Sequence, residues 1–194
     1  MQQTIYLMRH GQTFFNQQHR IQGWSDSPLT EIGKNQARIA SKYFSSGNIE
    51  LESAYSSTSE RASDTLELVT DLPYKRLKGI KEWNFGTFEA EHDYLYPYGH
   101  DSEFFAEFGG ETDLEVQRRM SKTITEIVKN DLSENILIVS HGGAIRSFAR
   151  AWAKYGESQE YLPYENCCIL KYYYRDGIFI FQSMFNSDFS SLDK

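Results

Sequence analysis

The residues able to do chemistry stand where apolar runs stop. Ile5-Tyr6-Leu7-Met8 leads straight into Arg9, His10 and Gly11. The run "NILIVS" ends at Ser140 and is followed by His141, Gly142 and Gly143, and "ESAYSS" ends at Ser57 with Arg61 just beyond. A cation, an imidazole and glycines are costly inside a sheet and useful at a strand's carboxyl end, where α/β proteins bind ligands. If the three ends converge, they enclose a pocket with two arginines and two histidines. Guanidinium forks suit a tetrahedral dianion, so phosphate is the natural guest. Gly11, Gly142 and Gly143 let backbone approach it closely, and a helix starting near Gly143 adds its positive end.

The sequence has no G-x-x-x-x-G-K-[ST] phosphate loop and too few clustered carboxylates for a two-metal site. A metal-free route is favoured, and it needs a nucleophile. A neutral imidazole can attack phosphorus and carry the phosphoryl group, while nearby arginines compensate the oxygens and disfavour imidazolium. The leaving alcohol needs a proton, which a carboxyl group can supply. Glu82, bordered by Trp83 and Phe85, is the expected acid, its apolar edge keeping it protonated.

Elements that could position these groups follow from periodicity. Helices are expected from Thr30 to a stop at Gly47 (Ile32, Gln36, Ile39, Ala40 and Tyr43 on one face), over "SERASDTLELV", over "TDLEVQRRMSKTITEIVKN" and from Gly143. Val116, Met120, Ile124, Ile127 and Val128 make the clearest stripe, and Thr112 with Glu115 has capping-box spacing, which gives Glu111 and Thr112 a structural role first. "KRLKGI" reads as a short strand, Gln12 to Pro28 as a loop, and "CCILKYYY" and "IFIFQSMF" as a hairpin about Asp176-Gly177. Strand–helix alternation predicts one α/β domain over residues 1–186: three αβα layers, a mostly parallel sheet and a C-terminal β-hairpin. Residues 187–194 read as a flexible tail.

Composition narrows the setting. The 194 residues carry a net charge of −7, which argues against nucleic acid as the main partner. No apolar run approaches the ~20 residues needed to span a bilayer, and no leader-like segment opens the chain. The only cysteines, Cys167 and Cys168, are adjacent and read as free core thiols in a reducing, cytoplasmic setting. The Tyr172-Tyr173-Tyr174 run reads as strand packing.

The motifs together resemble the histidine phosphatase superfamily, in its phosphoglycerate-mutase-like branch. Arg9-His10-Gly11 with Asn16 resembles the opening R-H-G-x-x-x-x-N. Gly23-Trp24, Asp26 and Pro28-Leu29-Thr30 are similar to the loop that follows, and Ser56-Ser57 with Arg61-Ala62 and Thr65 to the second motif. Glu82 with Gly86 and Phe88-Glu89 resembles the acid segment, Gly110-Glu111-Thr112 the family's G-E-[ST], and Ser140-His141-Gly142-Gly143 its closing motif. The resemblance implies His10 as the phosphorylated nucleophile, with Arg9, Arg61, His141 and Gly142 around the phosphoryl group and Asn16 assisting. It implies Glu82 as proton donor and then base, with no metal and no cofactor. Asn16 is equally readable as a turn residue. One departure is Ala90, where many members have glycine, a matter of local backbone shape.

Phosphatase and mutase share such a pocket. From Trp83 to Gln117 there is no Lys or Arg but nine acids, interleaved with aromatics from Trp83 and Phe85 to Tyr94, Tyr96, Tyr98 and Phe104. An acidic, aromatic lid should repel a second anionic group. Only 58 residues separate Glu82 from His141, short for the family's mutases. The expectation is a phosphomonoester hydrolase acting on a small molecule with an aromatic or apolar body. A cofactor-dependent phosphoglycerate mutase and a non-catalytic phospho-ligand binding module are the alternatives. Exposed aromatics of the lid or hairpin are candidates for a homodimer face.

Overall fold

A computed structural model of the chain describes residues 2–95, 103–156 and 162–192. Its strands are β1 (Gln3–Arg9), β2 (Ser53–Ser57), β3 (Tyr74–Leu77), β4 (Asn135–Ser140), β5 (Ile169–Arg175) and β6 (Ile178–Phe185). They form one sheet in the order β3-β2-β4-β1-β5-β6. The first four run parallel, and β5 and β6 run antiparallel. The helices are α1 (Phe14–Gln17), α2 (Glu31–Ser46), α3 (Glu60–Glu67), α4 (Asp113–Asn130) and α5 (Gly142–Trp152).

The central strands are apolar on both faces because both faces are covered. On one side Tyr6 and Met8 of β1 and Leu137 and Val139 of β4 pack with Ala37, Ala40 and Phe44 of α2 and Ala62 and Leu66 of α3. On the other, Ile5, Leu7, Ile136 and Ile138 pack with Val116, Met120 and Ile124 of α4 and Ile145 and Phe148 of α5. The expected three layers and mostly parallel sheet are what these contacts make.

The core face of α2 differs from expectation. Gly33, Ala37, Ala40 and Phe44 are buried, whereas Ile32, Gln36, Ile39 and Tyr43 lie at its edge. The reason is close approach: a Cβ on Gly33 would overlap the Gln12 backbone, so small residues must face the sheet. The loop after β1 also holds an unforeseen helical turn, α1, closed by a capping box of Thr13 and Asn16. In "KRLKGI" the strand stops at Leu77 and a 3₁₀ turn takes Lys78–Ile80. The hairpin turns on Asp176 (φ 53°) and Gly177 (φ 84°), the positive-φ pair of a type I′ turn. Ala90 sits at φ 66°, a conformation that costs a non-glycine residue about 1 kcal/mol. At the chain end Ser187 is buried and Phe189 packs against the α2 side of the core.

Candidate active site

β2, β4 and β1 are neighbours, with Ser56 level with Val139 and Arg9 level with Ser140, so their carboxyl ends lie side by side. His10, His141 and Arg61 meet there. The two imidazole centroids are 5.2 Å apart at 61°, and the Arg61 Nε–H donates to His10 Nε2 at 3.3 Å. His10 Nδ1 lies 2.7 Å from the Gly11 carbonyl. A carbonyl only accepts, so Nδ1 carries the proton and Nε2 keeps its lone pair. Burial first, then the Arg61 and Arg9 charges, hold His10 well below the ordinary imidazole pKa. It is a neutral nucleophile aimed by its own backbone. Asn166 Nδ2–H (3.1 Å) and the Cys167 N–H (3.2 Å) grip the His10 carbonyl from behind.

His141 is fully buried, and its Nε2 is 2.7 Å from Ser57 Oγ. Ser57 Oγ also accepts the Ser59 N–H, and no other acceptor is in reach of its hydroxyl proton among the described residues, so that proton is assigned to His141 Nε2. That leaves Nδ1–H as a buried donor without a partner. Burial, then Arg61 and His10, hold this imidazole neutral too. Arg9 donates through Nη1 to the Tyr164 carbonyl, while its Nε is a second buried donor without a partner. Gly142 makes room for it, because a Cβ there would stand 3.1 Å from Arg9 Nε.

Arg61 is wholly buried and held by more than phosphate chemistry needs. Nη1 donates to the Ser25 carbonyl (3.0 Å) and Asp26 Oδ1 (2.8 Å), and Nη2 to the Gly23 carbonyl (2.9 Å). The fork expected to face phosphate is turned toward the 23–26 loop, and Nε is the donor that addresses His10. Asp26 also accepts the Glu60 N–H, serving the α3 N-terminus where Ser59 makes no side-chain cap. Asn16 acts in the loop: its Oδ1 accepts the Thr13 N–H at 3.1 Å.

Glu82 lies at the amino end of α5. Oε2 accepts the Gly143 N–H (2.9 Å), and Oε1 accepts those of Ala144 (2.7 Å) and Trp83 (2.8 Å). Gly143 is required, since a Cβ there would stand 2.8 Å from Oε1. The environment expected to be an apolar edge is therefore a backbone N–H cradle. Oε2, with one partner, is the oxygen with room for a proton. The main chain beneath is pinned by Arg119 of α4, whose Nη1 reaches the Lys81 carbonyl (2.6 Å) and Nη2 the Glu82 carbonyl (2.8 Å). Arg119 also pairs with Glu111 at 2.7 Å. Glu111 and Thr112 are thus structural, and Thr112 does form a capping box with Glu115.

The aromatic segment behaves differently from expectation. Trp83 and Phe85 are only 7% and 9% exposed and pack with Phe105 in the main core, with Phe104 against them. Among the described aromatics of the segment, Tyr94 is the most exposed, at 74%, and Phe108 follows at 38%. Tyr96, Tyr98 and Asp101 lie outside the described residues. Glu89 is buried in bonds rather than solvated, accepting the N–H groups of Gly23, Trp24, Ser25 and Phe85 and the Ser25 hydroxyl. Sequence reading missed Asn166, Arg119 and this clasp. The first two lie far along the chain from what they hold. Among the described residues no group of three or more His, Cys, Asp and Glu could hold a metal ion, and no helix is long and apolar enough to cross a membrane.

Residues 5–187 match the family described as histidine phosphatase superfamily (branch 1). The chain belongs to the histidine phosphatase superfamily. A broad-specificity phosphatase of Saccharomyces cerevisiae is 30% identical over 80% of this chain and 72% of its own length. A crystal structure of a phosphoglycerate mutase from Bacillus anthracis has a TM-score of 0.82 at 28% identity, over 94% of this chain and 92% of that one. A phosphoserine phosphatase from Entamoeba histolytica, solved with 3-phosphoglyceric acid, shares the superfamily fold with a TM-score of 0.80 at 23% identity, covering 96% and 98%. The superfamily thus includes hydrolases and mutases on one architecture.

Proposed function

We propose that the protein is a metal-independent phosphomonoester hydrolase working through a phosphohistidine at His10. The observation that carries this reading is a neutral imidazole whose Nε2 keeps its lone pair, met by the Arg61 Nε–H at 3.3 Å, beside buried nitrogens without partners, His141 Nδ1 and Arg9 Nε. Unsatisfied buried donors are costly, and phosphoryl oxygens would satisfy them. His10 Nε2 attacks phosphorus, the bond to the leaving oxygen breaks, and that oxygen takes a proton from Glu82. Glu82, now a carboxylate, takes a proton from water. The water oxygen attacks phosphorus, the P–N bond breaks, and inorganic phosphate leaves. Arg61 and Arg9 offset charge on the phosphoryl oxygens throughout.

Trapping tests it. Protein mixed with a labelled phosphodonor and quenched should carry acid-labile, base-stable label, and His10→Ala should carry none and lose about 10⁴-fold or more in kcat. Label on His10→Ala overturns the nucleophile. A protein that never labels or turns over is a binding module. Rapid interconversion of 3- and 2-phosphoglycerate with little release of phosphate makes it a mutase. For the substrate's body, Trp83 and Phe85 no longer supply an aromatic wall. Trp24, half-buried between the two carbonyls that hold Arg61, is the ring nearest that role.

A further inference from the structure

The absence of basic residues from 83 to 117 holds along the chain but not in space. Lys78 and Lys81, just upstream, gather on Trp24, their Nζ atoms 4.9 and 5.1 Å from its ring centroid. Trp24 ties them to both halves of the site. Its indole N–H donates to the Glu82 carbonyl at 3.1 Å, and its neighbours Gly23 and Ser25 hold Arg61. Lys81 is half-buried, and its ammonium makes one long bond, 3.4 Å to the Trp24 carbonyl. Neither lysine forms an ion pair among the described residues. The nearest acids are committed elsewhere: Asp26 to Arg61 and the Glu60 N–H, Glu89 to its four N–H groups and one hydroxyl.

We infer that Lys81, with Lys78, receives a second anionic group on the leaving half of the substrate, so that carboxylate-bearing phosphomonoesters are favoured. This rests on the proposed hydrolase. Glu82 marks the side on which the leaving oxygen must sit, and Lys81 is the residue next to it. Burial, and then the Arg61 charge, push the Lys81 ammonium below its usual pKa, a cost that a bound anion relieves. Its field also reaches His141. Both ammonium heads lie over the indole face, on the loop whose neighbouring carbonyls hold Arg61.

The test is a matched pair. 3-Phosphoglycerate and glycerol 3-phosphate differ by a carboxylate against a hydroxymethyl group, and p-nitrophenyl phosphate serves as a reference without a second anion. The native enzyme should prefer 3-phosphoglycerate by about tenfold or more in kcat/KM. Lys81→Met, which keeps the apolar stem, should erase about tenfold of that preference through KM, with kcat within about twofold. Lys81→Arg should restore most of it, and p-nitrophenyl phosphate should change by less than about twofold in both variants. Hydrolysis without preference in the native enzyme, or equal losses on all three substrates in Lys81→Met, overturns the anion subsite alone. No hydrolysis of any of the three, with no label on His10, overturns the hydrolase and the subsite together.

Discussion

The strand-end cradle and the aromatic segment after Glu82 are built from equally suggestive residues and do opposite things. In the cradle, polar groups are buried with reactive atoms left without partners, His141 Nδ1 and Arg9 Nε, beside a His10 Nε2 met by the Arg61 Nε–H. In the segment, the rings of Trp83, Phe85 and Phe105 are spent on one another, with centroids 4.9 to 6.2 Å apart. Its carboxylates Glu89 and Glu111 are spent on backbone N–H groups and Arg119. A residue type therefore says little about function until its partners are counted. Buried donors without partners that converge at neighbouring strand ends point to a ligand, and a ring enclosed by rings is core.

The largest effect that could break this contrast lies in the cradle. Glu82→Gln removes the proton, so the acid and base steps should each lose about 10³-fold. With p-nitrophenyl phosphate, whose leaving group needs little help, the first turnover should stay fast and release one equivalent of nitrophenol. Later turnovers should slow about 10³-fold as phosphoenzyme accumulates. Stopped-flow absorbance reads both phases. An equal loss in the first turnover would mean that Glu82 only anchors α5 and gives no proton.

Next in size is Phe105→Ala. Phe105 is 1% exposed and touches Trp83, Phe85, Phe88 and Phe104. A core ring costs about 3–5 kcal/mol when truncated to alanine. Denaturant unfolding should show that loss, with KM for p-nitrophenyl phosphate within about twofold. A raised KM with stability intact would return the segment to the role of substrate wall and dissolve the distinction drawn between the two regions.

Legibility in the sequence divides along the same line. His10, Arg61 and His141 could be located because a parallel sheet fixes where strand ends go, and register then brings them together. The α4 stripe was legible because nothing competes with its period. The face of α2 was not, since the close pass of Gly33 by Gln12 is a tertiary event that overrides hydrophobic pattern. Trp83 and Phe85 were misjudged because an aromatic near an active residue packs in or out according to partners about 20 residues away. Lys81 escaped notice because the window counted for charge began at Trp83, two residues further on, and its contact with Trp24 spans 57 residues of chain. The apolar edge of Glu82 was a property of sequence neighbours, while its real surroundings, Gly143 and Ala144, arrive from some 60 residues further on.

The smallest effect separates the regions by pH. His10 and His141 are held neutral when folded, well below the ordinary imidazole value of about 6.5 that each regains on unfolding. As pH falls through 6.5 the unfolded chain binds more protons than the folded one, so stability drops on acidification. Each histidine accounts for about 1 kcal/mol between pH 6.5 and 5.5, about 2 kcal/mol together. Asp131, depressed to about 2, is shifted in the same direction, but its stabilisation is lost only as pH falls from the ordinary aspartate range toward 2, outside this window. Unfolding free energies at the two pH values should therefore fall by about half as much in His10→Asn or His141→Asn as in the native chain, whatever either substitution does to stability at pH 7. Phe105→Ala should leave the native slope unchanged. An unchanged slope in both histidine variants would mean that the imidazoles are free to protonate in the folded state. The nucleophile would then not be held ready by burial and by the arginines.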